Sequence, residues 1–186
     1  MSLGDTSAAN REATGKGLVE IFTGDGKGKT SAALGIALRA SGHGLKVFII
    51  CFMKGGFPYG ERKALSQLPN IKLAKFGLES FVDPNNVTEV EKEEARKALQ
   101  MAKEVISSNE YDIVILDEIN VATAWNLIST NEVIKLIKEK PKNVDLILTG
   151  RYADDKLIEL ADLVTNMTKV KHPYDKGILA RKGIDY

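Results

Sequence analysis

The chain has 186 residues, 44% of them hydrophobic and 27% charged, and its 26 Lys and Arg nearly cancel its 25 Asp and Glu to leave +1, a balance that excludes a generic nucleic-acid binder held by a field of positive charge. That length suits one domain that buries about two thirds of its unfolded surface and needs no disulfide or metal staple. One cysteine, Cys51, excludes an intramolecular disulfide and a multi-cysteine metal or iron–sulfur site, and two histidines, His43 and His172, leave little for a His-based metal centre.

Residues 1–16 are small and polar without a period, and read as a flexible arm. From residue 17 to 186 the chain reads as a single α/β domain. Leu18-Val19-Glu20-Ile21-Phe22 is a strand that runs into a glycine-rich loop. Residues 30–41 carry Ala32, Ala33, Leu34, Ile36, Ala37, Leu38 and Ala40, a helix apolar nearly all round and therefore expected to be buried. Gly42 and Gly44 end it, with His43 as a cap or turn residue. Residues 46–52 form a buried strand that contains Cys51, expected to be an inert core thiol. Residues 61–68 read as a short helix and 71–76 as a strand at an edge. Thr88-Glu89-Val90-Glu91 has the spacing of a capping box and opens a long helix with Ala95, Leu99, Ala102 and Ile106 on one face. Residues 112–116 are the most apolar strand. A second capping box, from Ser129 to Glu132, opens a helix through Lys138. Residues 144–148 form a strand, 153–160 a helix and 163–170 a last strand, and 171–186 show turn residues without a period. Strands separated by helices imply a mostly parallel sheet with helices on both faces. No stretch approaches the roughly 20 apolar residues of a membrane span, and the first residues lack the apolar centre of a signal peptide. The expected compartment is the cytoplasm, with neither membrane nor nucleic acid as partner.

The segment Thr23-Gly24-Asp25-Gly26-Lys27-Gly28-Lys29-Thr30 lies between a strand and a helix, the setting of a phosphate-binding loop. Its glycines let successive backbone N–H groups converge on one anion, and the helix N-terminus adds partial positive charge. Lys29 supplies a cation for phosphate oxygens and Thr30 a hydroxyl for Mg²⁺. The leading glycine stands one residue late, at Gly24, and Lys27 is an additional lysine. Downstream, Ile113-Val114-Ile115-Leu116-Asp117-Glu118 is an apolar strand ending in two acids. Beside a phosphate loop, Asp117 orients a Mg²⁺-bound water, and Glu118 either polarises an attacking water or holds a ribose hydroxyl. Mg-nucleotide binding follows from these two motifs. Kinase, ATPase and alkyl-transfer chemistry all remain open, because P-loop folds host many functions.

The stretch from Phe22 to Ala33 resembles the phosphate loop of the ATP:corrinoid adenosyltransferases, including its shifted glycine and additional lysine. The resemblance continues through Arg39, Gly42-His43-Gly44, Phe52-Met53-Lys54-Gly55, Gly60-Glu61-Arg62, Leu116-Asp117-Glu118, Thr149-Gly150-Arg151, Leu160-Ala161-Asp162, Val170-Lys171-His172, Asp175-Lys176-Gly177 and the terminal Gly183-Ile184-Asp185-Tyr186. It implies a RecA-like P-loop NTPase fold and a homodimer. The implied reaction moves the 5′-deoxyadenosyl group of ATP to the Co(I) of a corrinoid, either cobalamin or cobyrinic acid diamide. Triphosphate is released, with Mg²⁺ (or Mn²⁺) as cofactor and a separate electron donor that reduces Co(II). The implied triphosphate cradle is Gly24, Asp25, Gly26, Lys27, Gly28, Lys29, Thr30 and Ser31. Arg39 and Arg151 map onto nucleotide-contacting arginines, Glu118 onto a ribose contact, and Thr30 with Asp117 onto the metal. Lys27 and Lys29 stabilise the leaving charge, and no protein nucleophile is required. The family's Gly-Phe-Thr-Trp segment reads Gly77-Leu78-Glu79-Ser80-Phe81 here. Phe57-Pro58-Tyr59 is a candidate wall for a large flat ligand, and Trp125 reads first as a packing residue. Two competing readings are a P-loop ATPase using Glu118 to orient water, and a non-catalytic ATP- and corrinoid-binding carrier.

Overall fold

The computed structural model describes residues 15–56 and 59–186. Of the expected N-terminal arm, residues 1–14 lie outside the described residues, as do Phe57 and Pro58 of the aromatic loop. Six strands form one sheet: β1 (Val19–Thr23), β2 (Val47–Cys51), β3 (Ile71–Lys75), β4 (Ile113–Asp117), β5 (Asp145–Thr149) and β6 (Leu163–Asn166). Their order is β3-β2-β4-β5-β1-β6, and every pairing is parallel. The helices are α1 (Lys29–Gly42), α2 (Gly60–Leu65), α3 (Glu89–Ser108), α4 (Ile119–Ala124), α5 (Thr130–Glu139) and α6 (Asp155–Leu160), with a 3₁₀ turn at Pro173–Lys176.

The twofold alternation of strand side chains divides the core between the two faces of the sheet. On one face Ile21, Ile50, Val114, Leu116, Leu146 and Leu148 pack with α3, α4, α5 and α6. On the other, Phe22, Ile49, Ile115 and Ile147 pack with Ala33, Ala37 and Ala40 of α1 and Leu65 of α2. Strand β4 is flanked on both edges and covered on both faces, so all five of its residues are buried. Both expected capping boxes are present. Thr88 accepts from the Glu91 N–H while Glu91 accepts from the Thr88 N–H at 2.7 Å, and Ser129 and Glu132 form the same reciprocal pair. Gly42 and His43 end α1 as expected, and β3 stands at the edge.

Three expectations need correction. Helix α1 is not buried all round: only Ala33, Ala37 and Ala40 are covered, while Leu38 is 59% exposed. The small alanine stripe lets the helix lie close on the sheet, Leu34 and Ile36 pack partly buried against the same core, and Leu38 faces outward. The last strand stops at Asn166 rather than 170, because the chain turns there onto the glycine-rich loop: Met167 N–H donates to Thr23 O at 2.8 Å, and Gly26 N–H donates to Met167 O at 2.6 Å. Helix α4 is too short to show a period in the sequence, and α2 ends three residues before the expected Leu68.

Cys51 is the buried, inert thiol expected of it. Burial first, and then the neighbouring Asp117 carboxylate, push its pKa up to about 12. In the folded protein Cys51 should resist alkylation by iodoacetamide at pH 8 and react fully once the chain is unfolded in guanidinium, as counted by mass spectrometry. Leu99, 1% exposed on α3, should cost about 2–5 kcal/mol when cut to Ala, read as a lower urea midpoint at unchanged slope. Val90→Ala on the exposed face of the same helix should stay within about 0.5 kcal/mol of the parent.

Candidate functional site

In a parallel sheet the carboxyl ends of the strands collect the loops that bind ligands. Here the ends of β1, β2, β4 and β5 surround a cavity of about 1180 Å³. Strand β1 delivers the glycine-rich loop. Gly28 adopts a left-handed conformation (φ 118) as the N-cap of α1. It has no side chain with which to cap, so the N–H groups of the first turn are left for an anion. Gly26 has no room for a side chain: a Cβ there would lie 2.6 Å from Met167 O.

Within the loop, Lys29 folds its ammonium back over the carbonyls of Gly24 and Gly26, at 2.7 and 2.6 Å. Burial, followed by the charge of nearby Arg151, lowers its pKa. Lys27 points the other way and pairs with Asp185 near the C-terminus.

Strand β4 supplies the acids. Asp117, 2% exposed, accepts from Thr30 Oγ1 at 2.8 Å, from Thr149 Oγ1 at 2.6 Å and from Lys54 Nζ at 2.5 Å. The Thr30 hydroxyl and the Asp117 carboxylate therefore stand together, as the two motifs imply for a metal. Glu118 follows in a left-handed conformation (φ 67) as the N-cap of α4, and its side chain lines the cavity. Burial, and then the adjacent Asp117 charge, raise its pKa, against the opposing pull of Lys54, Lys29 and Arg151.

Lys54 lies just beyond the end of β2, after a left-handed turn at Met53 (φ 55). Its ammonium sits 3.8 Å from Glu118 as well as on Asp117, and 5.0 Å from the centroid of the Tyr59 ring. Burial disfavours its charge, but the two carboxylates outweigh that and hold its pKa above the ordinary lysine value. Arg62 braces this turn by donating to Lys54 O at 2.5 Å. Strand β5 stands between β1 and β4 and contributes Thr149, whose hydroxyl also accepts from the Glu118 N–H at 3.0 Å. Fully buried Asn120 donates to Gly150 O at 3.2 Å and so ties the acidic strand end to the turn that carries Arg151.

Of the residues expected at the site, Asp25, Gly26, Lys27, Gly28, Lys29, Thr30, Ser31, Glu118 and Arg151 line the cavity. Gly24 and Asp117 lie directly behind its wall. Arg39 does not reach it. Ten residues of α1 carry it about 15 Å along the helix from Lys29, where it is exposed and outside the lining. Within this chain Arg39 therefore stands apart from the residues that the fold gathers around the loop. Lys54, Thr149, Asn120 and Asp185 were missed as site residues, although the rule that ligands meet strand carboxyl ends points to the first two.

Apolar side chains also line the cavity beyond the loop, among polar ones such as Glu61 and Gln67. Leu34 and Leu38 of α1, Leu68, Val82 and Phe81 line it, and Trp125 lines it from the end of α4, so Trp125 does more than pack. Tyr59 of the expected aromatic wall also lines it. His172 lines it too and fixes the 3₁₀ turn by accepting from the Tyr174 N–H at 3.2 Å.

The family model described as ATP:corrinoid adenosyltransferase BtuR/CobO/CobP matches residues 15–186. The corrinoid adenosyltransferase of Escherichia coli K12 is 37% identical over 171 residues, covering 92% of this chain and 86% of that protein. The corrinoid adenosyltransferase CobA of Salmonella typhimurium LT2 is 37% identical over 177 residues, covering 92% and 86%. The corrinoid adenosyltransferase of Pseudomonas aeruginosa PAO1 is 32% identical over 171 residues, covering 92% and 84%. Among solved structures, the RadB recombinase superposes with a TM-score of 0.51 at 15% identity, over 92% of this chain and 85% of that one. A KaiC-like protein from Pyrococcus horikoshii OT3 gives 0.51 at 18% identity, over 81% and 73%. These two neighbours bear on the fold alone and agree with a RecA-like P-loop architecture. With the family matched from residue 15 to the C-terminus and the phosphate loop facing the acidic strand end, this chain belongs to the ATP:corrinoid adenosyltransferase family.

Proposed function

We propose that this chain transfers the 5′-deoxyadenosyl group of ATP to the Co(I) centre of a corrinoid and releases inorganic triphosphate. Family membership supplies the reaction, and the observation that carries it onto this structure is the shape of the cavity. At about 1180 Å³ it exceeds the roughly 300–1,000 Å³ of ordinary small-molecule sites. One end is cationic, at Lys29 and Arg151, and the other apolar, at Leu34, Leu38 and Trp125. That division suits a triphosphate at one end and a large, flat, mostly apolar ring at the other.

In this reading the cobalt electron pair forms the new bond to C5′. The C5′–O bond breaks, and the triphosphate leaves with that bond's electrons. The nucleophile arrives with the substrate, so the protein contributes orientation and charge stabilisation. Gly24 to Ser31 cradle the triphosphate, with Lys29 and the first-turn N–H groups of α1 meeting its charge. Arg151 adds a second cation near Lys29, and Glu118 holds a ribose hydroxyl.

The donor set fits Mg²⁺, which is typically held by one or two protein oxygens together with substrate phosphates and water. Thr30 Oγ1 and Asp117 Oδ1 are 2.8 Å apart, and among the described residues no cluster of three or more His, Cys, Asp or Glu offers an all-protein cage. Thr30 and Asp117 would hold Mg²⁺ (or Mn²⁺), which when bound neutralises phosphate charge. The reading further takes cob(I)yrinic acid a,c-diamide or cob(I)alamin as acceptor, a separate donor for reduction of Co(II), a cytoplasmic setting and a homodimer. The open edge of β6, where Leu163 and Val164 are exposed, supports a second copy as partner.

The deciding assay mixes protein, ATP, Mg²⁺ and a chemically reduced corrinoid. Adenosylcorrinoid and triphosphate should form in equal amounts. ADP with phosphate, or tight corrinoid binding without transfer, would sink the proposal in favour of an ATPase or a carrier. Lys29→Ala should lower the transfer rate by about 100-fold or more, the scale of losing a donor aimed at a developing anion. Thr149→Val removes one of the three donors to Asp117 and should weaken Mn²⁺–ATP binding about tenfold, as measured by Mn²⁺ paramagnetic resonance, whereas Thr149→Ser should keep parental affinity.

A further inference from the structure

The additional lysine of the loop, Lys27, and the penultimate residue, Asp185, are far apart in sequence, and the fold joins them. Lys27 Nζ donates to Asp185 Oδ1 and, at 3.0 Å, to Ile184 O, so its ammonium is held by the C-terminal segment rather than by the loop. Asp185 is itself fixed within a compact turn. Its second oxygen accepts from Arg181 N at 2.8 Å and Arg181 Nε at 3.0 Å, and its own N–H donates to Arg181 O at 2.8 Å. Gly183 N–H donates to Tyr186 O at 2.7 Å. The hydrogen bond from Lys27 first, and then those from Arg181, keep the carboxyl ionised far below the ordinary aspartate range. Gly183, Ile184, Asp185 and Tyr186 all line the same cavity as the phosphate loop.

The two loop lysines are thus held differently. Lys29 rests on neutral carbonyls and keeps its charge for an incoming anion. Lys27 is neutralised by a carboxylate that lines the same cavity as the phosphate loop. The segment carrying that carboxylate has little core to hold it, with Leu179 77% and Ile184 63% exposed. Segments with few buried apolar contacts open at low cost.

We propose that Asp185 is an internal anion that competes with the triphosphate for Lys27: it yields the ammonium as triphosphate binds and reclaims it as triphosphate leaves. The proposal deepens the reading above and rests on its phosphate loop, but on neither the corrinoid nor the transfer step.

Inorganic triphosphate is therefore the probe, titrated calorimetrically into the full chain with Mg²⁺. If the carboxylate holds Lys27 in about nine molecules of ten, removing it frees the competent state and tightens apparent binding about tenfold. Asp185→Asn should show that gain, and Asp185→Glu should bind as the parent does. Backbone hydrogen exchange adds a readout that does not depend on either variant's stability: the amides of Gly183 and Asp185 in the parent should exchange faster when triphosphate is bound. Unchanged or weaker binding by Asp185→Asn, or equal or slower tail exchange with ligand, would overturn the proposal. A parent chain that binds no triphosphate would overturn the phosphate loop and this proposal together. Triphosphate binding with the expected gain, but no adenosyl transfer, would remove only the transfer reaction.

Discussion

The site is organised around one buried carboxylate. Asp117 ends the most enclosed strand of the sheet with 2% of its surface exposed, and a charge taken so far out of water is tolerated only when its oxygens are filled. Three donors fill them, from three different parts of the chain: Thr30 at the start of α1, Thr149 at the end of β5 and Lys54 beyond β2. Satisfying Asp117 therefore pins the phosphate loop, the turn after β2 and the end of β5 to one point. Lys54 depends on the arrangement in return, since its ammonium is also buried, against Tyr59 and between two acids. Breaking such a pair from one side leaves the other charge uncompensated, at a cost of about 3–5 kcal/mol, so these residues hold the site's geometry whether or not they touch a substrate.

Strand order explains why Thr149 sits beside both acids. With β5 between β1 and β4, the phosphate loop and the acidic strand end are two strand spacings apart, roughly 9.5 Å. Thr149 ends the intervening strand, and its one hydroxyl serves both acids, donating to Asp117 and accepting from the backbone of Glu118. The next two residues continue the same function, because Gly150 O takes the Asn120 amide and Arg151 then enters the cavity. These bonds tie the acidic strand end to the turn that carries Arg151, as Thr30 ties it to the loop.

Local patterning made much of this legible. The apolar run of β4, the glycines and lysines of the loop, and the reciprocal Thr88/Glu91 and Ser129/Glu132 spacings each act over a few residues, and each appears as expected. The sequence errors came from features that only the tertiary fold decides. Composition showed that α1 is rich in apolar residues, but not that only an alanine stripe would be fully covered while Leu38 stays exposed at the cavity. Nor does the local pattern show that the helical rise sets Arg39 about 15 Å along α1 from Lys29, outside the cavity lining. Lys54 lies 63 residues from Asp117, and Lys27 lies 158 from Asp185. No local period signals pairs at such separations, and the strand order that creates them is not written in any single segment.

Those long-range pairs also change what near neutrality means for this chain. Its net charge of +1 suggests weak attraction for polyanions, yet the cavity gathers Lys27, Lys29, Lys54 and Arg151 close together. The chain holds three of these cations with acceptors of its own, and they differ in how readily they can be exchanged. Lys54 is buried on a buried acid, so transferring it to a ligand would strand Asp117. Lys29 gives up only carbonyls of a loop whose N–H groups the same ligand would engage. Lys27 gives up a pair open to water and screened by salt, the kind that contributes little to stability. In the proposed reading an incoming triphosphate recruits Lys29 and Lys27 while Lys54 stays on Asp117, so the loop changes partners while the acidic strand end keeps its own.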